Sequence, residues 1–102
     1  MQYSLRTAAV LLVLMTAGAF AQDQAEIAAG AEVYQTNCSA CHGERLISPG
    51  GIPDLRKLGA EDRARFETMV TEGKGQMPAW GGMLSEQEIG QIWAYIRSRA
   101  GN

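Results

Sequence analysis

Both cysteines and the only histidine of this 102-residue chain stand together, in Cys38-Ser39-Ala40-Cys41-His42. C-x-x-C-H is the pattern through which a c-type haem is attached. Each thiolate can add to a vinyl group on one side of a porphyrin, and the imidazole next in line then lies under the iron as its proximal ligand. One turn of backbone thus supplies two thioethers and one bond to the metal. Other chemistries fit less well. A disulfide between cysteines this close makes a strained ring and leaves His42 without a role. A thioredoxin-like pair wants a βαβ surrounding, and no strand pattern flanks the motif. A structural zinc takes four ligands, whereas Cys38, Cys41 and His42 are three, with no further Cys or His to add.

The opposite face of the iron needs a ligand, and Met69, Met77 and Met83 compete for it. Met69 shares an apolar helix face with Phe66, which makes packing its role. Met77 lies in the glycine-rich run GKGQMPAWGGML and is followed by Pro78, whose fixed φ stiffens the approach. Met83 precedes the last helix, where it can serve as an N-terminal staple, and it stays the alternative ligand. A His/Met pair raises the reduction potential and closes both faces of the iron. Such a site favours outer-sphere electron transfer over binding of oxygen or peroxide.

The elements that position these residues are helical. Asp23 to Asn37 predicts a first helix, with Asp23 and Glu26 in capping-box position and Ile27, Gly30, Ala31 and Tyr34 on one stripe. Gly30 within that stripe is unfavourable for a helix and suits a close helix crossing. Residues 43–59 read as a loop, with turn signals at Ser48-Pro49-Gly50-Gly51 and Ile52-Pro53-Asp54. Glu61 to Glu72 predicts a second helix stopped by Gly73. Ser85 and Glu88 form a second capping box, behind which Ile89, Ile92, Trp93 and Ile96 make an apolar stripe. The pattern is all-α, with long loops whose work is to wrap a cofactor.

Length predicts one domain, and a net charge of −2 with no basic run argues for neither a nucleic-acid nor an anionic-membrane partner. Ala8 to Phe20 is an uncharged, mostly apolar run after Arg6, and Ala19-Phe20-Ala21 supplies the small residues of a cleavage site. Residues 1–21 therefore read as a cleaved signal peptide and 22–102 as the mature domain, without stable membrane insertion. Export to the periplasm agrees with the cysteine chemistry.

A helix leading into CSACH, a Met-Pro loop and a final helix ending WAYIRS together resemble the class I c-type cytochromes, over essentially all of residues 22–102. The resemblance implies a cytochrome c-like fold of three to five short helices and long loops around one covalent haem c. The first and last helices would cross near Gly30 and Tyr95. It implies Met77 as the distal ligand, and the Pro53 carbonyl, or less suitably that of Pro49, as acceptor for the second ring nitrogen of His42. Trp80 and Tyr34 are candidates for packing on the porphyrin or for its outer surroundings. Trp93 reads as core, and Arg45 as a surface arginine with a propionate as its other possible partner. The implied function is a monomeric periplasmic one-electron carrier with no enzymatic activity. MPAWGGMLSEQEIGQIWAYIRS is similar to cytochromes that accept electrons from quinoprotein (PQQ) alcohol dehydrogenases, so a dehydrogenase donor and an oxidase or cytochrome acceptor are expected. The alternatives are an open-site haem protein, either peroxide-reducing or gas-binding, and a fixed cytochrome subunit of a dehydrogenase.

Overall fold

The computed structural model describes the backbone of residues 2–101 and the side chains of residues 18–101. Within them lie four α-helices: α1 (Gln2–Asn37), α2 (Ser39–His42), α3 (Arg63–Glu72) and α4 (Glu86–Ser98). Three single 3₁₀ turns, Glu44–Leu46, Leu55–Lys57 and Ala60–Asp62, punctuate the loop between α2 and α3. No strand occurs among the described residues; Lys74 and Met77 form one isolated antiparallel bridge.

α1 is longer than the sequence pattern predicts. It runs through Asp23 without interruption, so Asp23 does not cap it. The physical reason is that no proline intervenes and alanines, the best helix formers, crowd the join between the apolar run and Asp23. Most of the expected signal peptide, through residue 17, falls outside the residues whose side chains are described. No helix among the described residues is long and apolar enough to cross a membrane.

α4 forms as its pattern dictates. Ser85 Oγ accepts from the Glu88 N–H at 3.1 Å, and the Glu88 carboxylate accepts from the Ser85 N–H at 3.0 Å. This reciprocal cap satisfies two of the orphan donors at the helix start. Ile89, Ile92, Trp93, Tyr95 and Ile96 are buried from it. Leu84 and Ile89, the residue before the cap and the fourth within the helix, both belong to the core, which is the staple arrangement. The sequence suggests Met83 for that place; it is instead the exposed neighbour of Leu84.

The core is built on the crossing of α1 and α4. A Cβ on Gly30 would overlap the Gln91 carbonyl and lie 3.0 Å from the Ile92 nitrogen, so only glycine allows this approach. One turn later Tyr34 meets Tyr95 with ring centroids 5.4 Å apart. Phe66 of α3 packs on Trp93 of α4 at 5.1 Å, which closes the second seam and confirms Trp93 as core. The end of α4 also holds the long loop: Arg97 donates to the Leu58 carbonyl at 2.7 Å, and the Gly101 N–H donates to the Arg56 carbonyl at 3.1 Å.

Candidate haem site

Helix α2 carries the C-x-x-C-H motif in a single turn, Ser39–His42, with Cys38 at its N-cap between α1 and α2. The His42 N–H donates to the Cys38 carbonyl at 2.9 Å, and the Gly43 N–H donates to the Ser39 carbonyl at 2.8 Å. Cys38 is half-buried, Cys41 is exposed, and both thiols are free. Burial, aided by the neighbouring Cys41, pushes the Cys38 thiol up to about 11. Burial also lowers the pKa of His42 below its ordinary 6.5, which keeps the imidazole neutral at pH 7, the form that binds metals.

His42 Nδ1 is buried and has no hydrogen-bond partner among the described residues. An orphaned buried ring nitrogen is costly unless another group completes it. Pro53, the acceptor the resemblance implies, is exposed, as is Pro49, and neither takes that bond here. Two free thiols and a neutral imidazole on one turn are the donor set that a c-type haem requires, so these residues fit the group.

Below the motif the backbone turns in an uncommon way. Gly43 has φ +92°, and a Cβ there would overlap the Ile47 carbonyl. Arg45 (φ 55°) and Leu46 (φ 66°) follow in the left-handed region, which costs L-residues roughly 1–2 kcal/mol each. Leu46 is nonetheless almost fully buried, while the Arg45 side chain is exposed. Tyr34 reaches this turn from α1: its hydroxyl donates to the Gly43 carbonyl at 2.6 Å. With 1% of its surface exposed, the Tyr34 ring is covered by protein alone. Burial first, then Cys38 and Tyr95, push its phenol up to about 12, so it remains a donor at neutral pH.

The glycine-rich loop, residues 73–84, is pinned to the end of α3. The Trp80 N–H donates to the Val70 carbonyl at 2.8 Å and the Gly81 N–H to the Thr71 carbonyl at 3.1 Å. Lys74 and Met77 exchange two backbone bonds of 3.0 Å, closing a tight turn between them. Gly73, at φ +77°, has no room for a Cβ, which would sit 2.7 Å from the Met77 carbonyl and 2.9 Å from the Ala79 nitrogen. Met77 is half-buried and packs against the core, as do Cys38 and Trp80. Met83 is 73% exposed. The structure therefore brings Met77, Cys38 and Trp80 to one core and leaves Met83 in solvent. Gly73 is both the stop of α3 that its type predicts and, beyond what the sequence announces, a close support for the Met77 backbone. The Tyr34–Gly43 bond was likewise missed; a tyrosine where a phenylalanine would pack was the available signal.

A family model described as cytochrome C oxidase, cbb3-type, subunit III, matches residues 25–96. Cytochrome c6 of Euglena viridis is 40% identical over 78 residues, covering 70% of this chain and 90% of the relative. Cytochrome c6 of a Picosynechococcus species is 37% identical, with 93% of each chain covered. The quinohemoprotein alcohol dehydrogenase ADH-IIG of Pseudomonas putida is 37% identical over 84 residues, covering 80% of this chain and 12% of the enzyme. No solved structure matches.

Proposed function

The chain belongs to the cytochrome c family as a class I monohaem c-type cytochrome, an electron carrier with one covalently bound haem, and we propose that His42 and Met77 are its two axial ligands and the periplasm its place of work. Bound haem supplies a single iron that cycles between Fe(II) and Fe(III). The chain's own residues do the rest. Cys38 and Cys41 would tether the porphyrin through thioethers. His42, kept neutral by burial, would offer a ring nitrogen to the iron. Met77 would offer its sulfur, from a loop that the Val70 and Thr71 carbonyls and Gly73 hold. A ligand set held this firmly changes little between oxidation states and leaves no position for oxygen or peroxide. The observation that carries the reading is the contrast between Met77, packed on the core with Cys38, and Met83 in solvent.

The apolar run before Asp23, removed after Ala21, supports export, and haem attachment of this kind belongs outside the cytoplasm. A quinoprotein alcohol dehydrogenase suits the role of donor, and an oxidase or another cytochrome that of acceptor; contacts with such partners are small and short-lived. The protein works as a monomer whose acidic balance favours a basic docking patch, so its association should weaken with salt.

Rapid mixing tests the reading. A reduced quinoprotein alcohol dehydrogenase should reduce the ferric protein within the dehydrogenase's turnover time, and the ferrous protein should not bind carbon monoxide rapidly. Fast carbon monoxide binding would favour the open-site reading instead. The 12% coverage of the quinohemoprotein favours a second reading, a fixed relay subunit, which stable co-purification with a dehydrogenase would support.

A further inference from the structure

The turn after His42 needs restraint. Gly43 lies at φ +92°, and Arg45 and Leu46 follow at φ 55° and φ 66°, in the sterically unfavourable left-handed region. Such a backbone persists only where its surroundings over-determine it. Leu46 contributes by burying its side chain in the core, and the Ile47 N–H donates to the Glu44 carbonyl at 3.0 Å. The restraint on the residue directly after His42 comes from α1: the Tyr34 hydroxyl donates to the Gly43 carbonyl at 2.6 Å. Tyr34 has little freedom itself. It is 1% exposed, its ring lies 5.4 Å from that of Tyr95, and it stands one turn beyond the Gly30 crossing. A phenylalanine would pack in the same space. What the tyrosine adds is a hydroxyl that bonds this turn, donating to the Gly43 carbonyl and meeting the Leu46 backbone as well.

We propose that Tyr34 is a positioning residue for the proximal ligand: by holding the Gly43 carbonyl it fixes the peptide after His42, and so the orientation of the imidazole plane beneath the haem. The inference rests on the haem reading above. It ties the crossing of α1 and α4 directly to the metal's surroundings, so that loosening the crossing also loosens the ligand. Because protein atoms cover the ring completely, Tyr34 acts through His42.

Tyr34→Phe in the haem-loaded protein tests this, since it removes one oxygen and keeps the ring. Proton NMR of the ferric form reads the outcome, because the haem-methyl hyperfine shifts follow the axial imidazole plane. The variant should keep its helical circular dichroism and show a redistributed methyl pattern, with the midpoint potential moving as well. Phe66→Leu trims the buried seam between α3 and α4 and leaves the α1–α4 crossing untouched. It should lower the thermal midpoint and leave the methyl pattern at wild type. A Tyr34→Phe protein that loses stability but keeps the wild-type pattern and potential would overturn the proposal. If Tyr34→Phe does not accumulate with haem, the wild type decides. A slowly exchanging Tyr34 hydroxyl proton close to Gly43 supports the bond, and a rapidly exchanging one overturns it. A wild-type protein without a haem spectrum would sink the underlying reading as well, so the two failures are distinguishable.

Discussion

Met77→Ala is expected to cost the ferric protein its low-spin spectrum and its near-infrared methionine-to-iron band. The potential should fall by roughly a few tenths of a volt, a part of the ~0.8 V over which axial ligands set haem potentials. Met83→Ala should change none of these. The asymmetry follows from where the two side chains sit. Met77 packs against the core on a loop held by Val70 and Thr71 carbonyls, with a glycine before it that no larger residue can replace. Met83 has 73% of its surface in water, beside a leucine that does the packing. The turn that follows holds it there, since the Met83 and Leu84 N–H groups both donate to the Trp80 carbonyl. Loss of the band in Met83→Ala, with Met77→Ala unchanged, would show the ligand assignment to be wrong.

The second large effect concerns two glycines that receive the same substitution with opposite results. Helix propensity alone predicts that Gly→Ala stabilises a helix interior by about 1 kcal/mol. At Gly90 that gain should be realised, since a new Cβ meets nothing closer than an Arg63 guanidinium nitrogen at 3.7 Å. At Gly30 the new Cβ overlaps the Gln91 carbonyl, and backbone cannot rotate aside as a side chain can. The helices must separate, opening the contacts of Tyr34, Ile92, Tyr95 and Ile96. Overpacking costs about 1–3 kcal/mol where side chains adjust, and a backbone collision belongs at or above the top of that range. With the propensity gain subtracted, Gly30→Ala should lose about 2 kcal/mol or more, a fall of roughly 10–15 °C in thermal midpoint for a domain this size. Gly90→Ala should rise by about 4 °C. Thermal unfolding of the haem-loaded variants, followed by circular dichroism, checks both. Changes of the same sign would mean that the crossing is not set by Gly30.

The haem-attachment chemistry was readable from the sequence because its residues are contiguous: C-x-x-C-H needs no tertiary contact to be recognised. The all-α class, the stripe and cap of α4, and the crossing at Gly30 were also readable, since each follows from helical periodicity plus one residue of unusual type. What could not be read depends on geometry between distant or unremarkable positions. The start of α1 was misplaced at Asp23 because a cap signal is only a preference, and an alanine-rich join without proline lets the helix run on. The staple went to Met83 rather than Leu84 because adjacent apolar residues look alike until a turn selects which one faces inward. The left-handed turn at Arg45 and Leu46 carries no glycine to announce it. The Tyr34 hydroxyl finds Gly43 only once α1 and the following loop have been placed in three dimensions.

Intact-mass spectrometry of the exported protein, after extraction with acidified organic solvent to remove any loose porphyrin, bears most directly on the central claim. The expected mass is that of residues 22–102 plus one haem, with neither Cys38 nor Cys41 open to alkylation. A colourless protein at the mass of the bare chain, with both thiols alkylated, would contradict the covalent haem and the electron carrier with it.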